Sequence, residues 1–316
     1  MEKQIAVIAI GGNSLIKHRE KQTVEDQYIA ICETIKHLVD LVELDYQLVI
    51  THGNGPQVGF IMLRSEIARD QIGLHIVPLS SCVADTQGAI GLQIQQALTD
   101  ELEKRNLDPK AVTIVTQVEV SPTDPGFVEP AKPIGEFYSK EKLPKLKEHH
   151  PEWILKEDSN RGYRRVVASP LPEKIVEENA VIALLDNDFH VIAAGGGGVP
   201  VVRSDIGLTS VDAVIDKDKT ASLLASNLNA PLLVISTAVE QVMLNFGTEK
   251  AKGLGQVRVQ EMQKYLEDGH FAPGSMAPKI EAAIDFIKNG GKKVIITNPE
   301  HIGDAIRQGK GTQIIP

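Results

Sequence analysis

Residues 5–13 read Ile-Ala-Val-Ile-Ala-Ile-Gly-Gly-Asn, an apolar run that ends at a pair of glycines. A short apolar run that stops at glycines is typical of a strand that is covered on both faces and leads into a tight turn. Further runs of this kind predict strands over Gln47 to Thr51, Val112 to Val118, Val191 to Ala194, Leu232 to Ser236 and Lys293 to Thr297.

Helical patterns alternate with these strands. Thr23 and Asp26 have the spacing of a capping box, and an apolar stripe follows them. A second stripe follows Pro278, which is tolerated in a first helical turn. The first stripe consists of Val24, Tyr28, Ile31, Ile35, Leu38 and Val42, and the second of Ile280, Ala283, Ile284 and Ile287. Strands that alternate with helices predict an α/β protein with a mostly parallel sheet and helices on both of its faces.

Length, charge and cysteine content limit the classes of ligand. The chain has 316 residues, enough for about two domains or one large α/β unit, and a formal net charge of −9. This acidic balance gives no electrostatic reason to bind nucleic acid or an anionic membrane surface, whereas a local basic pocket can still hold a small anion. Cys32 and Cys82 do not have the spacing of a metal site or a disulfide framework. No apolar run predicts a signal peptide or a membrane span, so we expect a cytoplasmic protein.

The stretch from about Glu119 to Pro172 interrupts the alternation of strands and helices. It contains eight prolines, many charges and the only tryptophan, Trp153. A structureless insertion of this length is uncommon in a compact domain, so we expect a small subdomain or lid. Within it, the charged segment from Lys140 to His150 is interpreted as a solvated helix face rather than a cluster of ligands.

Three glycine-rich loops directly follow predicted strands, where open parallel sheets bind their ligands. They are Gly11-Gly12-Asn13-Ser14, His52-Gly53-Asn54-Gly55-Pro56-Gln57 and Gly195-Gly196-Gly197-Gly198. Glycine lets backbone N–H groups turn toward a bound anion, and the second loop also opens a helix whose N-terminus adds positive potential. The first two loops can equally be tight turns that need glycine for backbone reasons alone. Four consecutive glycines are costly in an ordinary connector, so close approach of a ligand would explain the third loop.

Two further loops carry lysines at the start of predicted helices. Asp216-Lys217-Asp218 can be a surface ion pair, or a lysine that contacts phosphate beside a carboxylate that orients the lysine or a metal. Gly274-Ser275-Met276-Ala277-Pro278-Lys279 opens the last amphipathic helix, and Lys279 can be a surface lysine whose stem covers apolar area. The sequence lacks a P-loop, the dinucleotide-binding fingerprint, and the motifs of zinc proteases and serine hydrolases.

Taken together, these stretches resemble the carbamate kinases of the amino acid kinase superfamily, essentially from end to end. The resemblance rests on unusual motifs in the same order: Ile8 to Asn13, Thr51 to Gly59, Thr86 to Gly88, Lys132 to Gly135, Gly196 to Val201, Val214 to Asp218 and Gly269 to Met276. The Lys-Pro-Ile-Gly element at Lys132 separates carbamate kinases from the related acetylglutamate, glutamate 5- and uridylate kinases. Relatives commonly have Ala-Gly where this chain has Ser159-Asn160, so a glycine-like conformation there would fall to Asn160.

The resemblance implies an open three-layer αβα sandwich. It implies an N-terminal lobe over residues 1–205, which binds carbamate or carbamoyl phosphate and forms a homodimer, and a C-terminal nucleotide-binding lobe over residues 206–316. The proline-rich stretch, about 119–172, corresponds to a protruding subdomain that covers the site. The implied reaction is reversible phosphoryl transfer between carbamoyl phosphate and ADP with Mg²⁺, which gives ATP and carbamate. It usually serves fermentative breakdown of arginine or of ureide-type nitrogen compounds.

The resemblance also implies a role for each site residue. Lys132, Lys217, Asp218 and Lys279 are the expected catalytic group. Lys217 is expected to neutralise the developing charge, Asp218 to orient Lys217 or the metal, Lys279 to bridge the nucleotide phosphates and Lys132 to approach from the lid. The expected substrate- and phosphate-binding residues are Gly11, Gly12, Asn13, Gly53, Asn54, Gly55, Gly196, Gly197 and Gly198. The expected nucleotide-binding residues are Asp216, Lys217, Thr237, Gly274, Ser275, Met276 and Lys279, and no ligand set for a resident metal is predicted. Two alternatives stay open: a paralogue that phosphorylates another small carboxylate, and a catalytically silent nucleotide-binding regulator.

Overall fold

The structure is a computed structural model that describes residues 3–12, 15, 23–158 and 162–316. Its helices are α1 (Val24–Val42), α2 (Gln57–Ile72), α3 (Leu79–Lys104), α4 (Pro125–Val128), α5 (Leu143–His149), α6 (Glu178–Leu185), α7 (Lys217–Asn227), α8 (Val259–Glu267), α9 (Ala277–Lys288) and α10 (Ile302–Gln308). Its strands are β1 (Gln4–Ile10), β2 (Tyr46–His52), β3 (Ala111–Thr113), β4 (Gln117–Glu119), β5 (Lys132–Tyr138), β6 (Ile154–Glu157), β7 (Tyr163–Val167), β8 (Lys174–Ile175), β9 (His190–Ile192), β10 (Val199–Ser204), β11 (Gly207–Ser210), β12 (Leu232–Ser236), β13 (Met243–Leu244), β14 (Lys252–Gly253), β15 (Gln256–Arg258), β16 (Lys293–Thr297) and β17 (Thr312–Ile315). No helix in the described ranges is long and apolar enough to cross a membrane.

One large sheet combines strands from both halves of the chain, in the order β15-β17-β16-β12-β1-β2-β9-β3. Neighbouring strands in it are parallel, except that β16 and β17 are antiparallel. β1 lies between β2 and β12, with Ile10 opposite His52 and Ala9 opposite Ile235. The predicted mostly parallel sheet is confirmed, and the carboxyl ends of β1, β2 and β12 open at the same edge.

Two cores cover the two faces of this sheet, because successive side chains of a strand point to opposite sides. Val7 and Ala9 of β1 belong to a core that includes residues of α6, α7, α8 and α9. Ala6 and Ile8 belong to a core that includes residues of α1, α3 and α10. All four of these β1 side chains are fully buried. Helices thus cover both faces, and the three-layer αβα sandwich is confirmed.

Local sequence signals set several element boundaries where they are predicted. α1 begins at the capping box: Thr23 Oγ1 accepts a hydrogen bond from Asp26 N–H (3.1 Å), and the Asp26 carboxylate accepts one from Thr23 N–H (3.2 Å). Pro278 lies in the first turn of α9. β12 and β16 have the predicted bounds. These boundaries depend on neighbouring residues alone, which explains why the sequence predicts them.

The prediction of one strand over Val112 to Val118 is wrong. β3 pairs with β9 in the large sheet, whereas β4 pairs with β10 in a separate four-stranded sheet of the order β11-β10-β4-β8. Between them the side chain of Gln87 holds the backbone of Thr116, accepting from Thr116 N–H (2.7 Å) and donating to Thr116 C=O (3.0 Å). The chain therefore leaves one sheet and enters another within an apolar run, which hydrophobic pattern alone does not reveal.

The proline-rich stretch contains an antiparallel sheet of its own, the small sheet, which consists of β5, β7 and β6 in that order. Before β6, the segment Lys140 to His150 forms a 3₁₀ turn and α5, with its lysines exposed as predicted. His150 departs from that prediction, since its ring is buried and stacks on Trp153 with 3.9 Å between ring centroids. The stacked pair anchors one end of α5 on the small sheet.

A buried histidine on β9 predicts how stability depends on pH. His190 Nδ1 accepts a hydrogen bond from Leu48 N–H (3.0 Å), and burial lowers the pKa of His190 to about 4. Because the unfolded chain binds this proton near pH 6.5, the contribution of His190 to stability is complete above that pH and is lost as the pH falls through about 4. The size of this contribution is about 3 kcal/mol.

We therefore expect His190→Gln to lessen the fall in the free energy of unfolding between pH 6.5 and pH 4, measured by urea unfolding. Exposed His149 provides the matched control, since His149→Gln should leave the pH dependence of the wild type in place. An equally steep fall in His190→Gln and in the wild type would show that His190 does not cause it.

Candidate active site

A cavity of about 460 Å³ lies at the edge where β1, β2 and β12 end. Most residues predicted for the site from the sequence line it: Gly11, Gly12, Gly53, Asn54, Gly55, Lys132, Gly196, Asp216, Lys217, Asp218, Thr237, Gly274, Ser275 and Lys279. Asn13, which is predicted to bind phosphate, lies outside the described residues. Loops from distant parts of the chain thus converge on one cavity, as expected for the carboxyl edge of an open parallel sheet.

Three lysines and two aspartates of the cavity lining form one cluster of ion pairs. Lys217 Nζ lies 2.5 Å from Asp218 Oδ1, and Lys279 Nζ lies 2.7 Å from Asp218 Oδ2, so one carboxylate joins two ammonium groups. Lys132 Nζ, on the first residue of β5, lies 2.8 Å from Asp216 Oδ2. The side chains of Lys217 and Lys279 are only 12% and 16% exposed, which rules out solvated surface lysines at these two positions.

The start of α7 explains why these charges meet. Asp216 is the N-cap of α7, and its Oδ1 accepts a hydrogen bond from Asp218 N–H (3.0 Å). This cap fixes Lys217 and Asp218 in the first helical turn, at the positive end of the helix. The other oxygen of Asp216 binds Lys132, so this carboxylate links the small sheet to α7. The arrangement brings lysines from β5, α7 and α9 to one point.

Burial and pairing set the charge of the site. Burial opposes ionisation of Asp216, but Lys132 and Lys217 hold the pKa of Asp216 far below its usual range. The pKa of Asp218 is also lowered, because the attraction of Lys217 and Lys279 exceeds the effect of burial. Burial lowers the pKa of Lys217 from that of an ordinary lysine, although Asp218 opposes this change. With the three lysines protonated, three ammonium groups face two carboxylates, and the excess positive charge favours an anionic ligand.

Only some backbone N–H groups of the glycine loops beside this cluster can donate hydrogen bonds to a ligand. Gly53 N–H donates to Ile10 C=O (3.0 Å), so it is not free to hold an anion as the sequence suggests. Within the described residues, the backbone N–H groups of Gly12, Asn54 and Gly55 have no hydrogen-bond partner. Asn54 is 8% exposed, and its side-chain amide nitrogen is buried without a described partner. These groups are therefore available to a bound anion.

The third glycine loop has a different explanation from the predicted one. A Cβ at Gly196 would lie 2.4 Å from Asn54 Nδ2, and one at Gly197 would lie 2.4 Å from the carbonyl oxygen of Ile215. Both residues have positive φ, +67° and +92°, which side chains disfavour. Gly197 and Gly198 are buried and do not line the cavity. Packing within the protein therefore already requires glycine at these two positions, and Gly196 also lines the cavity.

An apolar cleft of about 250 Å³ adjoins the cavity and shares Thr237, Ser275 and Lys279 with it. Met276 lines this cleft instead of the cavity. Among the other apolar walls of the cleft, Val239, Met243, Phe246 and Phe271 are not predicted as site residues. Val239 and Phe271 lie in segments that resemble the family, whereas no pattern in the sequence points to Met243 and Phe246.

Arg164 is a further cavity residue that sequence reasoning missed. Its guanidinium donates to the Asp158 carboxylate (3.2 Å) and to the Gly135 carbonyl (3.0 Å), and it lies over the ring of Phe137. The pair Arg164-Arg165 within the proline-rich stretch was the available signal. Arg164 supports the segment that carries Lys132 and adds a positive charge at the rim.

Known proteins are similar to this chain along nearly its whole length. The model of the amino acid kinase family matches residues 4–298. The chain is 51% identical to a carbamate kinase-like protein of Escherichia coli over 99% of both chains, and 44% identical to carbamate kinase of Pyrococcus horikoshii over 98% of both. The solved structure of carbamate kinase from Giardia lamblia bound to AMP-PNP superimposes with a TM-score of 0.92 at 39% identity, over 99% of this chain and 98% of that one.

Proposed function

Since the chain belongs to the amino acid kinase family, we propose that it is a carbamate kinase, which transfers a phosphoryl group reversibly between carbamoyl phosphate and ADP. One observation carries the proposal most directly: Lys132, Lys217 and Lys279 converge on two carboxylates in one cavity, next to an apolar cleft. Phosphoryl transfer needs alignment and neutralisation of charge more than a covalent nucleophile. The full-length likeness to curated carbamate kinases, at 42–46% identity in this group of relatives, supports the choice of acid.

The roles of the cavity residues follow from their charges. Lys217 and Lys279 would neutralise the transferring phosphoryl group, while Asp218 keeps their ammonium groups together before substrates bind. The N–H groups of Gly12, Asn54 and Gly55, which have no hydrogen-bond partner among the described residues, would hold carbamate or carbamoyl phosphate together with Asn13. Lys132 would approach from the small sheet and contact the same phosphoryl group.

The nucleotide would occupy the apolar cleft and the adjoining end of the cavity. An adenine base is flat and largely apolar on its faces, and the cleft presents Phe246, Phe271 and Met276. Thr237, Gly274 and Ser275 lie where cleft and cavity meet, between the base and the lysine cluster. This order would point the terminal phosphate of ADP toward Lys217 and Lys279.

Magnesium would arrive with the nucleotide as part of the substrate. Mg²⁺ in such sites is commonly held by one or two carboxylates together with substrate phosphates. The described lining of the cavity has two carboxylates, Asp216 and Asp218, which fits this coordination. Both are ionised and paired with lysines, so bound Mg²⁺ would share them with Lys132, Lys217 or Lys279.

The same proposal includes the roles of the two lobes, the location of the protein and its physiological use. An N-terminal lobe, 1–205, would bind the acid and form the homodimer, the stretch of about 119–172 would act as its lid, and 206–316 would bind the nucleotide. We place the reaction in the cytoplasm, where ADP and ATP are abundant. ATP formation during fermentative breakdown of arginine or ureide-type compounds would be its physiological use.

A paralogous activity on another small carboxylate is the second candidate, because one relative at 51% identity is described only as carbamate kinase-like. A panel of acyl phosphates with ADP and Mg²⁺ separates the candidates. Carbamoyl phosphate should give the highest kcat/KM, well above that of acetyl phosphate. A preference for acetyl phosphate would favour the paralogue. ADP binding by calorimetry without turnover of any acyl phosphate would favour a silent regulator.

A further inference from the structure

The backbones of α2 and β5 touch at two glycines. A Cβ added at Gly59 of α2 would lie 2.8 Å from the Cα of Gly135 and 3.2 Å from its nitrogen. Real Cβ atoms do not approach backbone atoms this closely, so even alanine at position 59 must push the two elements apart. Glycine is a poor helix former, and its presence inside a helix usually has a packing reason. Here the reason is the close approach of β5.

The backbone on the other side of this contact is held in place. Gly135 has φ +69°, and the register between β5 and β7 shifts between Ile134 and Tyr138. The Gly135 carbonyl accepts a hydrogen bond from Arg164 (3.0 Å). Ile134, which is 4% exposed, packs in a core cluster with Val58 of α2. The irregular point of β5 is therefore fixed against α2 and cannot yield freely.

This contact connects two parts of the proposed active site. Gly59 follows the Gly53-to-Pro56 loop by about one helical turn, and Gly135 follows Lys132 by three residues. Gly59, Gly135 and Lys132 all line the cavity. The distance between the loop and the Lys132 ammonium group thus depends on how closely α2 and β5 approach.

We propose that Gly59 and Gly135 are positioning residues. Their direct backbone contact, called the glycine contact below, fixes the small sheet against α2 and thereby sets how far the Lys132 side chain extends into the site. Only the expected change in kcat rests on the proposed function, because the glycine contact itself is a feature of packing. Lys132 is then held from two sides, by the glycine contact with α2 and by Asp216 at the N-cap of α7.

The fluorescence of the single tryptophan can report on the glycine contact without any assay of activity. Trp153, the only tryptophan of the chain, is 8% exposed and lines a narrow gap together with Gly59, Gly135 and Met62. In Gly59→Ala the gap should open, and acrylamide should quench Trp153 fluorescence more strongly than in the wild type. Gly88 is the matched control, since it is a glycine of α3 with no atom within 4 Å of an added Cβ. Gly88→Ala should keep the wild-type quenching.

The kinetic arm uses ATP formation from carbamoyl phosphate and ADP. A misplacement of about 1 Å can cost on the order of 10²-fold, so we expect Gly59→Ala to lower kcat by ~10-fold or more, with little change in the KM for ADP. If Gly59 acts through Lys132, the double variant Gly59→Ala/Lys132→Ala should have the kcat of Lys132→Ala. Ile134→Ala removes atoms that pack between β5 and α2 and should loosen the glycine contact. It should therefore also raise the quenching of Trp153 fluorescence and lower kcat.

Either of two results would overturn the proposal. One is wild-type quenching and wild-type kcat in a folded Gly59→Ala. The other is a loss of kcat from Gly59→Ala that is undiminished in the Lys132→Ala background. If the wild type lacks carbamate kinase activity altogether, the proposed function fails. The comparison of quenching between Gly59→Ala and Gly88→Ala still shows whether the glycine contact holds the small sheet against α2.

Discussion

Replacing Lys217 by alanine should lower kcat for ATP formation by ~10³-fold or more while the chain stays folded. Lys217 is nearly buried and lies 2.5 Å from Asp218, at the positive end of α7. Its removal takes one positive charge from the cluster and leaves Asp218 paired with Lys279 alone. Charge that develops on the transferring phosphoryl group would then lose a neutralising ammonium group of the cavity.

Lys219 offers the matched control for this substitution. It lies on the same helix two residues later, and it pairs with Glu281 (3.0 Å) outside the cavity. Lys219→Ala should therefore keep kcat close to that of the wild type. Circular dichroism and the urea midpoint of both variants establish that they fold. A folded Lys217→Ala with near wild-type turnover would refute the role of Lys217.

Replacing Lys132 by alanine should lower kcat by ~10²-fold, the second largest effect we expect. Lys132 is 34% exposed and bound to Asp216, so substrates can reach its ammonium group without unfolding the core. The variant keeps the cap of α7, because Asp216 still accepts from Asp218 N–H through its other oxygen. The loss should therefore appear in kcat in a chain that still folds, although the free energy of unfolding should fall because Asp216 loses the ammonium group that holds its pKa low.

Lys156 is the control for Lys132, since it belongs to the same small sheet but donates to Pro130 C=O (2.7 Å) and does not line the cavity. Lys156→Ala should be close to the wild type in turnover. If Lys132→Ala keeps its turnover while losing stability, Lys132 serves to anchor the small sheet and has no role in phosphoryl transfer.

The parts of the fold that depend on short-range signals could be predicted from the sequence. The capping box at Thr23 sets the start of α1, and continuous apolar runs set β12 and β16. The run from Val112 to Val118 could not be divided correctly, because the break between β3 and β4 depends on Gln87, which is distant in sequence. The burial of His150 could not be predicted for a different reason, because its partner Trp153 lies just beyond α5 in a stretch without a periodic pattern.

The candidate site was predictable at its loops and less so in its details. Strand ends followed by glycine or lysine identified the elements that meet at the cavity. The sequence does not reveal that Gly53 N–H is already bonded to Ile10, or that Gly197 is required by the carbonyl of Ile215. These properties depend on contacts between segments that are far apart in the chain. The contact of Gly59 with Gly135 is of the same kind, and only the structure shows it.

The proposed activity is tested most directly by ATP formation from ADP, Mg²⁺ and fresh carbamoyl phosphate, coupled to hexokinase, with wild type and Lys217→Ala measured side by side. The wild type should form ATP rapidly, and the variant should lose this activity. Folded wild-type protein that forms no ATP above the non-enzymatic background would contradict the assignment of carbamate kinase activity to this chain.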